Sequence, residues 1–197
     1  MTTARAVSRK GRGARERITA AADKLFYWDG IHATGVDALI AEAEVSKRTF
    51  YQHFSSKNEL IDTYLRNVDD AGGSPMERRL DTAGLAPRER LLAIFDTKAT
   101  GRFRGCPFHN AVVESAGTLT TAENIVRTHK QGFTDRLTAV ATDAGAADPW
   151  LLAQHLLILF EGATALATTL NDTSPMVHAR AVAAQLIDTA IRADTDA

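Results

Sequence analysis

The chain has 197 residues, 45% of them hydrophobic, enough for a globular protein with a buried core, and its formal net charge of −1 offers no overall attraction to a polyanion. The single cysteine, Cys106, excludes an intramolecular disulfide, and no Cys or His spacing of the zinc type occurs, so neither metal nor cofactor is expected. The basic N-terminus lacks the apolar stretch and cleavage site of a signal peptide. The apolar segment Trp150 to Phe160, broken by Gln154 and His155, falls short of the roughly 18 residues of a membrane span, so a cytoplasmic protein with no membrane partner is expected.

The distribution of charge says more than its total. Residues 1–66 carry 11 Lys/Arg against 8 Asp/Glu, and residues 67–197 carry 12 against 16. Arg5, Arg9, Lys10, Arg12, Arg15 and Arg17 face the single acid Glu16 in the first 17 residues, and Gly11 and Gly13 loosen the chain, so residues 1–13 read as a flexible basic arm.

No stretch alternates apolar and polar residues, whereas a period of 3.6 recurs throughout, which predicts an all-α fold. A first helix is expected over Ala14 to Trp28, with Ile18, Ala21, Ala22, Leu25 and Phe26 on one face and Gly30 as its stop. A second opens at Thr34, with Asp37 as the acidic half of a capping box and Val36, Leu39, Ile40 and Ala43 turned inward. A third, about two turns long, opens on Ser46 and runs through Lys47 to Phe54. Ser56 and Glu59 form a second capping box for a fourth helix bearing Leu60, Ile61, Tyr64, Leu65 and Val68. Breaks at 71–75 and 83–87 put a domain boundary near Asn67, which separates residues 14–66 from 67–197. Further helices are expected at about Pro87 to Arg102, Phe108 to Ala116, Thr121 to Ala144, Asp148 to Leu170 and Pro175 to Arg192.

The stretch Thr34 to Phe54 is two short helices joined by a tight turn, the plan of a helix-turn-helix, whose second helix enters a major groove about 12 Å wide. Phe50 and Phe54, four apart, anchor that helix. Lys47, Arg48, Gln52 and Thr49 are the candidates to face base edges, and Thr34, Ser46, Tyr51, His53 and Lys57 the candidates to hold phosphates. The run Thr34, Ala43-Glu44-Val45-Ser46, Lys47-Arg48-Thr49-Phe50-Tyr51-Gln52-His53-Phe54 and Ser56-Lys57-Asn58-Glu59-Leu60 resembles the N-terminal signature of the TetR repressors over about the first third of the chain. One departure is Glu44, where that family usually has Gly; left-handed geometry there costs a non-glycine residue on the order of 1 kcal/mol.

The resemblance implies a DNA-binding regulator, not an enzyme, that grips double-stranded operator DNA as a homodimer and is released by a small molecule in a larger C-terminal helical domain. The helix Asp148 to Leu170, apolar on nearly all sides, needs cover on two faces, one of them from a second subunit. Leu156, Phe160, Ala163, Leu186, Ile187 and Ile191 are the expected dimer contacts. Arg104 to Ala111 resembles a Gly-Cys-x-x-x-Asn-Ala stretch of one branch of the family, and Phe103, Phe108, His109, Val113, Phe133, His155 and Leu159 are candidates to line a pocket for a hydrophobic effector. Cys106, near a helix start, is read either as a packing residue or as a redox-active thiol. An activator of the same fold and an architectural DNA binder without an effector are the alternative readings.

Overall fold

The computed structural model describes residues 13–97, 103–115 and 117–192, so the basic arm lies outside the described residues except for Gly13, as do residues 98–102 of the expected fifth helix. The described residues are helices joined by turns: α1 (Ala14–Trp28), α2 (Val36–Ala43), α3 (Lys47–His53), α4 (Lys57–Asp70), α5 (Pro87–Ala93), α6 (Pro107–Ser115), α7 (Thr120–Asp143), α8 (Pro149–Leu170) and α9 (Ser174–Arg192). A 3-10 helix at Glu77–Asp81, which the sequence pattern did not signal, lies between α4 and α5.

Local chemistry accounts for most of the boundaries. Gly30 takes a positive φ of 98° after α1, a region that only glycine enters without strain. Ser46 caps α3 by accepting the Thr49 N–H at 3.0 Å, and Ser56 caps α4 by accepting the Glu59 N–H at 3.2 Å. The expected capping box of α4 is shifted by one residue, because the Glu59 carboxylate accepts from the N–H and hydroxyl of Ser55, both at 2.7 Å.

Thr34 corrects the sequence expectation. The residue before α2 is Gly35, with no side-chain cap, and the Thr34 hydroxyl turns back to donate to the Gly30 carbonyl at 2.7 Å. Thr34 is buried, so it closes the α1–α2 turn and has little surface left for a phosphate. Helix α5 is also shorter than expected, because the chain turns at Ile94 and Phe95 to bury both side chains.

Two apolar clusters hold the fold. The first joins Ile18, Phe26, Leu39, Phe50, Phe54 and Leu65 of the N-terminal helices, and it recruits Cys106, Phe108, Ala111, Ala122 and Val126 from beyond residue 66. The second unites Leu91, Phe95, Phe133, Leu137, Leu156, Phe160, Met176 and Ile187. Helix α8, at 22 residues, is long and apolar enough by length and composition to cross a bilayer, longer than the segment the sequence singled out. Its buried Leu152, Leu156, Phe160 and Ala167 make it a core helix of this fold.

Candidate functional site

Helix α3 displays its polar residues because its apolar ones are fixed beneath it. Phe50 and Phe54 are fully buried with ring centroids 6.2 Å apart, and the Arg15 guanidinium lies 4.9 Å over the Phe54 ring. The opposite face carries Lys47, Arg48, Tyr51 and Gln52, all exposed, with Ser46 and His53 exposed at its two ends. Arg48, Tyr51, Gln52 and His53 have no side-chain hydrogen bond or ion pair among the described residues, and Lys47 has only a 3.9 Å approach to the exposed Asp37. Thr49 is half-buried and bonds Ser46 through its hydroxyl at 2.8 Å. Lys57 is half-buried too: its ammonium donates to the His32 carbonyl at 3.5 Å, and burial pulls its pKa below the usual lysine value.

The α2–α3 turn holds the shape a glycine would give it. Glu44 adopts φ 52°, ψ 49°, its N–H reaching Ala41 and that of Val45 reaching Ile40, both at 3.2 Å, the paired closure of a Schellman turn. Glu44 therefore closes the turn through the backbone bonds that a glycine would make.

A cavity of about 800 Å³ lies where the helix-turn-helix meets the rest of the molecule. Helix α1 lends it Asp23, Tyr27 and Trp28, α4 lends Tyr64, Asn67 and Val68, the segment after α4 lends Met76, Arg78 and Arg79, and Phe103 to Gly105 complete the wall with Pro107. Of the expected pocket residues, only Phe103 is on this wall. Phe108 is buried and stacked on His129 at 3.7 Å, Phe133 and Leu159 pack with the second core, and His109, Val113 and His155 are exposed. The sequence pattern did not signal this wall, which joins residues from five separate segments, Asp96 and Thr97 forming the fifth.

Beside the cavity a clasp ties the two parts together. The Arg104 guanidinium donates from Nε to the Tyr27 carbonyl at 3.0 Å and meets Glu114 at 3.5 Å, and Glu114 accepts the His32 N–H at 3.1 Å. A Cβ on Gly30 would stand 2.6 Å from the Glu114 carboxylate, so the glycine also makes room for it. The two parts are therefore joined through α6 and the segment before it as well as through α4.

Deeper in, charges are paired throughout. His129 faces Asp69 at 2.7 Å and Glu77 at 3.1 Å, and Lys130 faces Glu77 at 3.1 Å and Glu161 at 2.6 Å. Burial pushes the Glu77 carboxyl up, but the hydrogen bond from His129, the nearby charges and the Ser74 N–H outweigh it and bring the group down to about 2. Glu77, Cys106 and Glu161 have ligand atoms within 4.8 Å of one another, a spacing that suits a metal ion, yet the Lys130 ammonium contacts all three and fills the cation's place. Burial pushes the Cys106 thiol up to about 11 despite Lys130, which favours the packing reading of this residue over the redox-active one. Cys106 is buried while His109 is exposed, and no side-chain hydrogen bond joins them into a nucleophile and base.

Four of the six expected dimer contacts are turned inward instead. Leu156, Phe160, Ala163 and Ile187 are buried inside their own protomer, and Leu186 and Ile191 pack half-buried against the same core. The outward stripe of α8 is Leu151, Ile158, Leu166 and Leu170, and Val177 and Val182 are exposed on α9. A helix apolar on every side does not reveal which stripe its own core takes.

A three-helix unit whose third helix is exposed, set on a helical body, defines a helix-turn-helix regulator. Residues 18–64 match the model of the bacterial regulatory proteins of the tetR family. The solved structure of a TetR transcriptional regulator from Streptomyces avermitilis is 31% identical, covering 91% of this chain and 98% of that one, with a TM-score of 0.72. The chain belongs to the TetR family, whose members in these comparisons are DNA-binding transcriptional regulators. The regulator TcmR of Streptomyces glaucescens is 33% identical over 44% of this chain and 38% of its own length. The activator FasR of Mycolicibacterium smegmatis is 46% identical over 28% of this chain and 26% of its own length. The matches thus span about a third of these two relatives.

Proposed function

We propose that the chain is a cytoplasmic, dimeric transcriptional repressor that sets α3 of each protomer in the major groove of an inverted-repeat operator and lets go when a small molecule fills the cavity beside α4. The observation that carries this is the outward face of α3, where Arg48 and Gln52 are exposed and without partners among the described residues, on a helix anchored by two buried phenylalanines. Arg suits guanine O6/N7 and Gln suits adenine N6/N7. Lys47 and Thr49 join them toward the base edges, and Ser46, Tyr51, His53 and Lys57 surround them as phosphate donors. The α8 and α9 stripes pair with those of a second copy in a two-fold bundle, which puts the two recognition helices about one DNA turn or a multiple apart.

Release follows from the wall of the cavity. Tyr27 on α1 and Tyr64 on α4 belong to the helix-turn-helix unit, so an occupant that favours one tilt of that unit changes operator affinity, typically by about 1 to 3 kcal/mol for coupled sites.

The test is selection of bound sequences from a random DNA pool, read together with the mass of the protein in solution. A palindromic consensus bound by a dimer supports the reading; no consensus, or a monomer, turns it toward a DNA binder acting through charge alone. Since one relative is an activator, a reporter driven through the selected operator checks the sign: output falls with a repressor and rises with an activator.

A further inference from the structure

We propose that the cavity between α1, α4 and the 3-10 helix takes a hydrophobic organic acid, its apolar body against Tyr64, Met76 and Phe103 and its carboxylate on Arg79. This rests on the reading of the cavity as the effector site and adds the chemistry of the occupant. A volume of about 800 Å³ lies within the range of small-molecule sites, and aromatic and aliphatic side chains supply most of the wall.

The charges on the wall decide the class. Asp96 is answered by Arg180 at 2.9 Å, and Arg104 by the Tyr27 carbonyl and Glu114. Arg78 donates to the Gly73 carbonyl at 2.6 Å. Arg79, half-buried, has neither a side-chain hydrogen bond nor an ion pair among the described residues. A partly buried guanidinium without an acceptor is unfavourable, and a carboxylate in the cavity relieves it with a bidentate, charge-assisted pair. Asp23, on α1, is the remaining charge on the wall among the described residues, and partial desolvation raises its carboxyl above the usual range. A cationic ligand would meet the positive charge of Arg78 and Arg79 instead.

The full chain is titrated with decanoate, decan-1-ol and decyltrimethylammonium, and with 2-naphthoate and its alcohol, while the fluorescence of Trp28 in the cavity wall is followed in a Trp150→Phe background. At least one acid is expected to bind about tenfold or more tighter than its alcohol, as loss of a charge-assisted hydrogen bond predicts, and Arg79→Gln to abolish that preference. Retained operator binding by Arg79→Gln shows that the variant is folded. Equal binding of acid and alcohol, tighter binding of the ammonium, no binding of either acid, or an acid preference that survives Arg79→Gln overturns the proposal. An acid that binds through Arg79 without changing operator affinity upholds the ligand class and overturns the effector reading alone.

Discussion

On α3 the basic and amide side chains point away from the body and have almost no partners among the described residues, whereas every charge in the chain Asp69–His129–Glu77–Lys130–Glu161 is held by another. The first set keeps its hydrogen-bonding capacity for something outside the molecule. The second is committed to position, locking the last turn of α4 to the 3-10 helix, α7 and α8. Charge is available for binding where solvation keeps it exposed, and it is structural where burial makes an unpaired group untenable.

The sharpest way to break this contrast is at its two extremes. Glu77→Ala leaves Lys130 and His129 short of their buried acceptor and is expected to destabilise the fold by about 3 to 5 kcal/mol in urea unfolding. Arg48→Ala, on the exposed face, is expected to change stability by less than about 0.5 kcal/mol. The same carboxylate gives a pH signature. Its native pKa of about 2 lies below its ordinary 4.5, so its contribution is fully present above about 4.5 and is lost as pH falls toward 2. Unfolding measured from pH 6 to pH 2 should show this loss in the wild type and a flatter profile in Glu77→Ala; parallel profiles would mean that Glu77 is not the group responsible.

Next in size is the outward stripe of α8. Ile158 is 69% exposed in the protomer, so Ile158→Asp spares the core and places a charge in the proposed dimer contact. A loss of about 2 to 4 kcal/mol in dimerisation is expected, read by sedimentation, with little change in helix content. Unaltered dimerisation would mean that the two copies meet elsewhere.

These variants also mark where the sequence was legible. The N-terminal helices could be read because their signals are local: a 3.6 period, a Ser cap on α3 and another on α4. Thr34 could not, since a hydroxyl ahead of a helix can donate backward to Gly30 as readily as it can cap forward. Ile158 and Phe160 are two residues apart on an all-apolar helix, so nothing local shows that one faces out and the other the core. The buried ion network did leave a trace: His129 falls on the inward stripe of Val126, Phe133 and Leu137, and a polar residue at a core period implies a buried partner. The cavity left none, its wall being assembled by tertiary packing.

Within the DNA-binding face, the division between reading and holding is testable by contrast. Arg48→Ala is expected to relax base preference at one operator position by about 1 to 3 kcal/mol, whereas Lys57→Ala weakens all sites alike and lowers the salt slope by about one unit. Lys57 also donates to the His32 carbonyl beside Glu114, so its loss is expected to loosen the clasp as well, which would show as a change in effector response that Arg48→Ala lacks. Uniform weakening by both variants, with the same response, would erase the distinction.

The smallest effect concerns the turn between these faces. Glu44 already occupies the left-handed conformation that glycine would adopt, and its hydrogen bonds to Ala41 and Ile40 run through backbone atoms that a substitution leaves in place. Glu44→Gly should therefore relieve strain of about 1 kcal/mol, less whatever its carboxylate contributes, and raise the unfolding midpoint slightly. Operator affinity and base preference should not move, because the angle between α2 and α3 is set by that closure and by Phe50 against the core. If Glu44→Gly instead changed base preference while leaving stability alone, the turn would be holding α3 away from its relaxed orientation, and the exposed face of the recognition helix would owe its aim to Glu44 rather than to the phenylalanines beneath it.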